Sequence, residues 1–362
     1  MAVGTGSETL QNIPNVNFVV DPPAFFAQTS KNVATPKSRS TPDPGGFFTE
    51  ALPQAGVVSK ILLHFVGEIT VVTAAATSSA RWPYGLLDAF QLSANGQNDL
   101  VQCDGLDLHA LRFVRYPSYD ESVDAFPGTV GGGDTVATGS HDLHLTWEIP
   151  IAMDDTTLVG SLYAQSAATN LQVRAAVATM AQMFSANPGN VTLSGQWYIT
   201  TTFFDIPVDG DGRIIIPDLS QLHGINAVDY PFTSVGEVRT PLIRSAGTLM
   251  RLLVSAQRAA NNPLSALPAA TSANKITDLR LEYGGNRRPY VFSPSSTLLA
   301  INNQHYGAPV PYDRMVLDFV RENPLRDRVL MQGVTELAAV PTIGSGVSVT
   351  DGRVRLVQET LF

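Results

Sequence analysis

Charged side chains are scarce in this chain of 362 residues. Asp, Glu, Lys and Arg make up 15% of the sequence, whereas about 25% is usual in soluble domains. Soluble proteins rarely leave large apolar patches bare, so we infer a surface that is neutral and polar or partly covered by other chains. The formal net charge of −9 argues against a protein that binds polyanions by neutralising phosphates.

Cysteine and long apolar runs are almost missing as well. The single cysteine, Cys103, excludes an intrachain disulfide and any cysteine-rich zinc site. His64, Glu68 and several threonines interrupt the apolar stretch 61–76, so we expect no membrane-spanning segment. With 44% hydrophobic residues the chain can bury a sizeable core, and packing must hold it together.

Residues 1–46 differ in composition from the rest. Pro, Ser, Thr and Gly are dense here, above all in 35–46, and such a segment forms neither a continuous helix nor a central strand. The sequence therefore predicts an extended N-terminal arm. Its apolar pieces 18–20 and 25–26 need cover, either from a neighbouring subunit or from the underside of the fold.

Strand alternation dominates the remaining chain. Apolar residues alternate with polar ones in 143–149, and similar patterns occur around 61–71, 193–203 and 279–283, as in strands with one wet face. Turn pairs separate these segments, including Asn95-Gly96 and Gly284-Gly285. The pattern predicts an all-β chain with a few short helices.

The same order of elements occurs twice. Two helices are predicted after short strands, one capped by Asp104 and one capped by Ser293 with Pro294 at its first position. Pattern alignment pairs 57–72 with 245–257, 86–96 with 276–285, 143–149 with 315–321, 171–183 with 335–347, and 191–205 with 354–362. Each copy then has the size of a β-sandwich of about eight strands.

This repeat divides the chain into four parts. We expect an extended arm over 1–46, a first sandwich over 47–206, a linker over 207–226 and a second sandwich over 227–362. The second copy has shorter loops, chiefly because it lacks an equivalent of the Gly-rich stretch 126–140.

Three stretches carry a resemblance to a known family. The strand and turn 86–96 lead through 101–108 into a helix, 147–151 leads through 158–163 to the strand at 171, and 317–327 supplies the second copy. Over about 47–362 this order resembles the double jelly-roll major capsid proteins of tailless icosahedral dsDNA viruses, the tectivirus and adenovirus lineage. The resemblance implies two tandem eight-stranded jelly rolls with short helices and an N-terminal arm.

The resemblance also implies a function. Three chains would form a homotrimer of pseudo-hexagonal outline, and trimers would tile an icosahedral shell next to neighbouring capsomers. The expected location is the virion, after synthesis in the host cytoplasm, with a bacteriophage as the expected virus. Minor capsid or vertex proteins and an internal membrane are candidate partners, whereas no sequence-specific nucleic-acid binding is expected. The arm could face inward and make contacts there through Lys31, Lys37 and Arg39, or it could be a solvated polar linker.

The sequence points to no catalytic, cofactor or metal site. His144 and Glu148 share a strand face, but His141 points to the other face, and Asp209-Gly210-Asp211-Gly212 lacks the remaining ligands of a calcium loop. We expect the aromatic residues of Trp82-Pro83-Tyr84 and Trp197-Tyr198 to lie in a core and not to form a sugar-binding platform. We therefore expect no enzyme. A tandem β-sandwich carbohydrate-binding or spike protein is the alternative, and a glycan hydrolase would require two carboxylates in one cleft.

Overall fold

The computed structural model describes residues 18–95, 97–116, 124–165, 169–242, 247–258, 275–283, 287–321, 329–331, 334, 336–345 and 349–362. Of the turns and stretches singled out above, the residues 1–17, Gly96, 245–246, Gly284, Gly285, 322–327, 335 and 346–347 lie outside these residues. The described chain is mostly strand with a few short helices, so the predicted all-β class is confirmed. None of its helices combines the length and hydropathy needed to cross a membrane.

Strands are numbered along the chain. They are β1 Phe18–Val20, β2 Lys31–Val33, β3 Lys37–Ser40, β4 Phe47–Ala51, β5 Val57–Val71, β6 Ala76–Ser78, β7 Leu87–Ala94, β8 Gln97–Cys103, β9 Thr135–Val136, β10 Gly139–Pro150, β11 Leu162–Tyr163, β12 Leu171–Val177, β13 Phe184–Ala186, β14 Val191–Phe204, β15 Ile214–Ile216, β16 His223–Phe232, β17 Gly236–Glu237, β18 Thr240–Pro241, β19 Thr248–Arg258, β20 Ile276–Tyr283, β21 Arg287–Phe292, β22 Met315–Asp318, β23 Val329–Leu330, β24 Leu337–Ile343 and β25 Gly352–Leu361.

Helices are few and short. They are α1 Pro22–Gln28, α2 Gly105–Arg115, α3 Met180–Met183 and α4 Ser296–Tyr306, with 3₁₀ turns at Tyr84–Leu86, Pro188–Asn190 and Pro311–Asp313.

Two sandwiches account for most of the strands. In the first, the order β10-β5-β14-β2, with β3 also on β14, faces the order β8-β7-β12-β4. In the second, β22-β19-β25-β16 faces β21-β20-β24-β17, with β18 also on β24. Apolar residues from both sheets of each pair fill a core, for example Leu63 with Val173 and Leu252 with Leu281. Each sandwich thus has four strand positions per sheet, the tandem eight-stranded arrangement predicted from the sequence.

The repeat extends to irregularities of the strands. The long strand at the centre of each sandwich carries one bulged residue, Ser59 in β5 and Met250 in β19. These residues lie 191 residues apart, and so do the first residues of α2 and α4, Gly105 and Ser296. A bulge bends a strand at a defined place, so its recurrence fixes which residues of the two sandwiches are equivalent.

One helix start differs from the prediction. The first helix is capped by Asp104 as expected, but α4 has Ser295 rather than Ser293 as its N-cap residue. The Ser295 hydroxyl donates to the carbonyl oxygen of Ile276, and its backbone N–H bonds to Thr277. These bonds to β20 tie Ser295 to the sheet, and the helix begins only after it.

The two sandwiches share a sheet. Strand β8 of the first pairs in parallel with β16 of the second, with Val101 opposite Ile225 and Gln102 opposite Asn226. The order β4-β12-β7-β8-β16-β25-β19-β22 therefore runs through both halves of the chain.

The described part of the arm lies on the first sandwich. It is extended in β1, β2 and β3 but helical in α1, because Asp21 accepts a bond from the Ala24 N–H and Pro22 and Pro23 suit the first helical positions. Strands β2 and β3 pair with β14, and β1 pairs with β15. Phe25 is buried with Val57, Phe204 and Ile215, so the underside of the fold covers this apolar piece.

Candidate functional site

The most elaborate polar site in the described residues is the junction between the two sandwiches, and it is built around α2. The capping box at its start joins the Asp107 N–H to Asp104 at 2.9 Å and the Asp104 N–H to Asp107 at 3.1 Å. Leu106, Leu108 and Leu111 turn into the first core. No residue of α2 is exposed, because the second sandwich covers the rest of the helix.

At the N-terminal end of α2, two arginines of the second sandwich meet a buried carboxylate. Asp107 Oδ2 lies 2.5 Å from Arg355 Nη2, and Asp107 Oδ1 lies 2.5 Å from Arg314 Nη2. Arg355 also lies 3.1 Å from Asp104 and 3.0 Å from Asp229 on β16. The carboxylates sit where the helix dipole favours negative charge.

The pKa values of the two carboxylates at this end shift in opposite directions. Burial by itself raises the pKa of Asp107, but the guanidinium groups of Arg355 and Arg314 outweigh it and hold this pKa far below its ordinary value. Burial raises the pKa of Asp104, and the neighbouring Asp107 charge adds to that rise against the pull of Arg355. Asp107 is thus the carboxylate that the junction keeps ionised.

At the C-terminal end of α2, the charges are reversed. Arg115 forms an ion pair with Glu359 on β25. Glu359 also lies 2.8 Å from Arg251 Nη1 and 2.9 Å from His223 Nε2. Arg251 continues to Asp318 at 3.2 Å. A cation at the end of a helix complements the dipole there, so both ends of α2 are held by charges of the favourable sign.

Burial also shifts the pKa values of the side chains at the C-terminal end of α2. It raises the pKa of Glu359 taken alone, but the charges of Arg115 and Arg251 reverse the effect and place this pKa well below its usual range. Burial lowers the pKa of His223 despite the adjacent carboxylate. Glu359 therefore supplies the negative charge for two arginines.

Apolar contacts complete the junction. Ile225, Leu253, Val316 and Val357 belong to the second sandwich, yet they pack into the core of the first. The ring of Tyr312 meets that of His109 on α2 at 5.7 Å. Tyr312 and Asp313 both have positive φ, 61° and 55°, a strained backbone for residues other than glycine. This short turn places Tyr312 and Arg314 against α2.

This arrangement holds two halves in one orientation. Another orientation of the halves would break these pairs. It would leave buried charges uncompensated, which is strongly destabilising. The paired charges lie on both ends of one helix, so they fix its direction as well as its position. Within the described residues, no three His, Cys, Asp or Glu side chains are grouped to hold a metal ion.

The three cations singled out in the arm are all paired within the chain. Lys31 forms an ion pair with Asp155, Lys37 lies 3.0 Å from Glu50, and Arg39 Nε donates to Glu50 at 2.5 Å. Glu50 belongs to β4, so Lys37 and Arg39 tie β3 to the facing sheet. The structure does not bring the three cations together at one site, and their inward-facing role stays a prediction.

The other candidate residues named from the sequence occupy structural positions. Trp82, Tyr84 and Trp197 are buried in the core. Asp209 accepts bonds from the Asp211 and Arg213 N–H groups and closes a turn. His141 binds the carbonyl oxygen of Ala137. Cys103 is buried, and burial raises its pKa well above the usual value, so the thiol is not activated.

Sequence reasoning found the cap residue Asp104 but missed the partners of this helix end. Asp104 was recognisable because a helix start is a local pattern. Arg314, Arg355 and Glu359 lie more than 200 residues further along the chain. One signal was available: charged residues stand on β25 among apolar ones in a sequence with few charges.

Comparison with known proteins shows which solved structures have a similar architecture. No family model and no curated protein sequence matches the chain. Among solved structures, the major capsid protein of Sulfolobus turreted icosahedral virus is similar with a TM-score of 0.68 at 18% identity, over 92% of this chain and 96% of that one. The Faustovirus major capsid protein matches with a TM-score of 0.58 at 8% identity, over 92% of this chain and 89% of that one. The PBCV-1 virus capsid model matches with a TM-score of 0.53 at 9% identity, over 92% and 94%. The chain therefore shares the fold of these capsid proteins, as its sequence pattern indicated.

Proposed function

We propose that this chain is a major capsid protein that forms trimers of pseudo-hexagonal outline and tiles an icosahedral shell. One observation carries the proposal: the match to the capsid protein of Sulfolobus turreted icosahedral virus spans 92% of this chain and 96% of that one. A match of that extent includes both sandwiches together, and a fixed pair of sandwiches is the unit from which such a shell can be built. Fold alone does not determine function, so the composition is the second support.

The scarcity of charge fits a subunit whose flanks are covered by neighbours. With 15% charged residues, a free monomer would expose much neutral surface, whereas interfaces of permanent assemblies are depleted of charge. The arm would then contact neighbouring capsomers, minor capsid or vertex proteins, or an internal membrane at the base of the shell. Lys31, Lys37 and Arg39 would act there only after exchanging their present partners.

The proposal includes no enzymatic activity and places the protein in the virion. A double jelly roll of the tectivirus and adenovirus lineage, in a bacteriophage, is its most specific form. The described residues give the carbohydrate-binding alternative no support, because the aromatic side chains of Trp82, Tyr84 and Trp197 are buried.

The first test is the absolute mass of the purified protein by light scattering, with negative-stain images of the same peak. We expect particles of three times 38.7 kDa with a hexagonal outline, or closed shells. A monomer at every protein and salt concentration would contradict the proposal, and glycan-array binding by that monomer would favour the alternative.

A further inference from the structure

A cavity of about 80 Å³ lies in the first sandwich, where β7 ends and β12 begins. Leu100 and Leu162 on its wall belong to the core of that sandwich. Tyr163 and Leu219, also on the wall, pack against the smaller core that contains Phe25 of α1. The cavity therefore lies where the two cores meet, and neither core fills it.

The wall of this cavity is mainly aliphatic and carries no charge. None of the residues that line it is Asp, Glu, Lys, Arg or His. Burial raises the pKa of Tyr163, the one aromatic residue on the wall, as expected beside apolar surface. The aliphatic residues on the wall are Ala94, Leu100, Leu162, Leu171, Leu219 and Leu222. Water gains few hydrogen bonds in such a space, and apolar cavities stay dry and bind apolar molecules.

One buried hydroxyl group on this wall lacks a partner. Ser161 is 1% exposed, and within the residues that the structure describes its Oγ forms no hydrogen bond. A buried polar group without a partner is destabilising, so folded proteins keep few of them. A ligand in the cavity would supply the partner that the chain does not.

The size of the cavity and its wall limit the occupant. An engineered cavity that binds benzene has about 150 Å³, so this cavity is too small for an aromatic ring but can hold a few atoms of a linear chain. Burial of a carboxylate or phosphate without a counter-charge is costly, whereas Ser161 can bond to an uncharged oxygen. Asn95 on the wall is exposed, so the cavity opens to solvent there and a longer chain can extend outside.

We propose that this cavity binds a linear aliphatic molecule through an uncharged hydroxyl or carbonyl oxygen and the carbon atoms next to it, as found in fatty alcohols and acylglycerols. Ser161 bonds to the oxygen, and the leucines of the wall surround the carbon atoms. This site goes beyond the proposed function, which includes no ligand, and it does not depend on assembly.

A ligand at this site would contact residues that hold three other parts of the chain. Leu222 precedes β16 and exchanges two backbone hydrogen bonds with Phe362, at 2.6 and 2.9 Å. The ring of Tyr163 meets that of Phe18 in β1 at 5.8 Å. Since a ligand that binds only the folded chain stabilises it, occupation of the cavity should raise the melting temperature.

Primary alcohols from butanol to decanol, titrated into the full chain and followed by calorimetry, test the proposal. The affinity should rise about fourfold with each added carbon, the equivalent of about 0.8 kcal/mol per buried methylene, until the cavity is filled and should then level off. The alkyl chloride of the same length should bind less tightly, because it is a poor hydrogen-bond partner. An affinity that keeps rising up to decanol would indicate adsorption to exposed surface and would contradict the proposal.

Ser161→Ala separates binding from folding. We expect it to weaken alcohol binding by about fivefold to tenfold and to remove the preference for the alcohol over the chloride. Without ligand, its melting temperature should equal or exceed that of the wild type, because the unpartnered hydroxyl is gone. A serine with a purely structural role would give the opposite result, a lower melting temperature and an unchanged preference.

Ala94→Leu fills the cavity and should lower the affinity for every alcohol by about tenfold or more. Ala89→Leu is the matched control, because Ala89 lies on the same strand but is exposed and does not line the cavity. If Ala94→Leu does not fold, Ser161→Ala decides alone. Absence of alcohol binding, or binding that neither variant weakens, overturns this inference. Trimers that bind no alcohol leave the proposed function intact, whereas a monomer that binds alcohol overturns the proposed function and leaves this inference intact.

Discussion

The ion pairs of the junction and the ion pair between Lys31 in the arm and Asp155 differ in burial. At the junction, Glu359 and Asp107 are fully buried beside their arginines, of which Arg251 is 14% exposed. In the arm, Lys31 and Asp155 are both partly exposed. The atoms involved are alike, but water screens one set and not the other. We conclude that the junction determines the relation of the two halves, whereas the arm is attached mainly by its strands and apolar side chains.

Removing the charge of Glu359 should cause the largest loss in the free energy of unfolding. Glu359→Gln leaves Arg115 without its carboxylate and Arg251 with Asp318 alone, and loss of one partner of a buried pair costs about 3–5 kcal/mol in the free energy of unfolding. Chemical denaturation followed by tryptophan fluorescence measures this change. Glu68→Gln on the exposed part of β5 is the matched control, and an equal effect of the two variants would refute the role of burial.

Asp107→Asn should have the next largest effect. The amide can still accept the capping bond of Asp104, but the charge that faces Arg355 and Arg314 is lost. Since hydrogen bonds to charged groups contribute about 1.5–3 kcal/mol, we expect a loss of that size in the free energy of unfolding. A variant as stable as the wild type, measured in the same denaturation experiment, would show that the charge of Asp107 is not needed to hold the two arginines.

Acid should loosen the junction. The pKa values of Asp107 and Glu359 are lowered in the folded chain, so their contribution is complete above the ordinary carboxyl pKa of about 4 and is lost as pH falls below it. The pKa of His223 is also lowered, so its protonation on unfolding begins to reduce stability below about pH 6.5. Melting temperatures recorded from pH 7 to pH 3 should fall, and Glu359→Gln should flatten the decline below about pH 4.

The smallest effect is expected in the arm. Lys31→Met removes the ion pair with Asp155, and exposed pairs of this kind contribute about 0–1 kcal/mol. The melting temperature should therefore change little, and the difference from wild type should vanish at high salt. A loss comparable with that of Glu359→Gln would mean that the arm, and not the junction, carries the main electrostatic connection.

The sequence predicted features that depend on neighbours along the chain. Alternation in 143–149 gave β10, and Asp104 gave the start of α2, because side-chain period and capping are local. The start of α4 was misplaced by two residues because Ser295 is held by β20, a contact between segments distant in sequence. Helix α1 within the arm was not foreseen, although Asp21-Pro22-Pro23 is a local start signal.

The junction could be predicted only in part for a related reason. Which residues of β25 face α2 depends on strand register and on the bulge at Met250, and one residue of slip would turn Arg355 and Glu359 to the other face. The sequence showed that the chain repeats, but not that β8 and β16 pair and bring the two copies into one sheet. Long-range pairing of this kind is fixed by the whole fold.

The pairing of β8 with β16 has a mechanical consequence. In the described residues, the ladder between β8 and β16 has two residue pairs, at Ile225 and Asn226, and one further bridge joins Gly160 to Leu222, whereas β5 and β14 pair over most of their length. Bending along the line between the halves therefore strains few backbone hydrogen bonds, and sliding is resisted by the charges at both ends of α2. Under load, we expect the chain to flex at this line first, with each sandwich moving as a stiff plate.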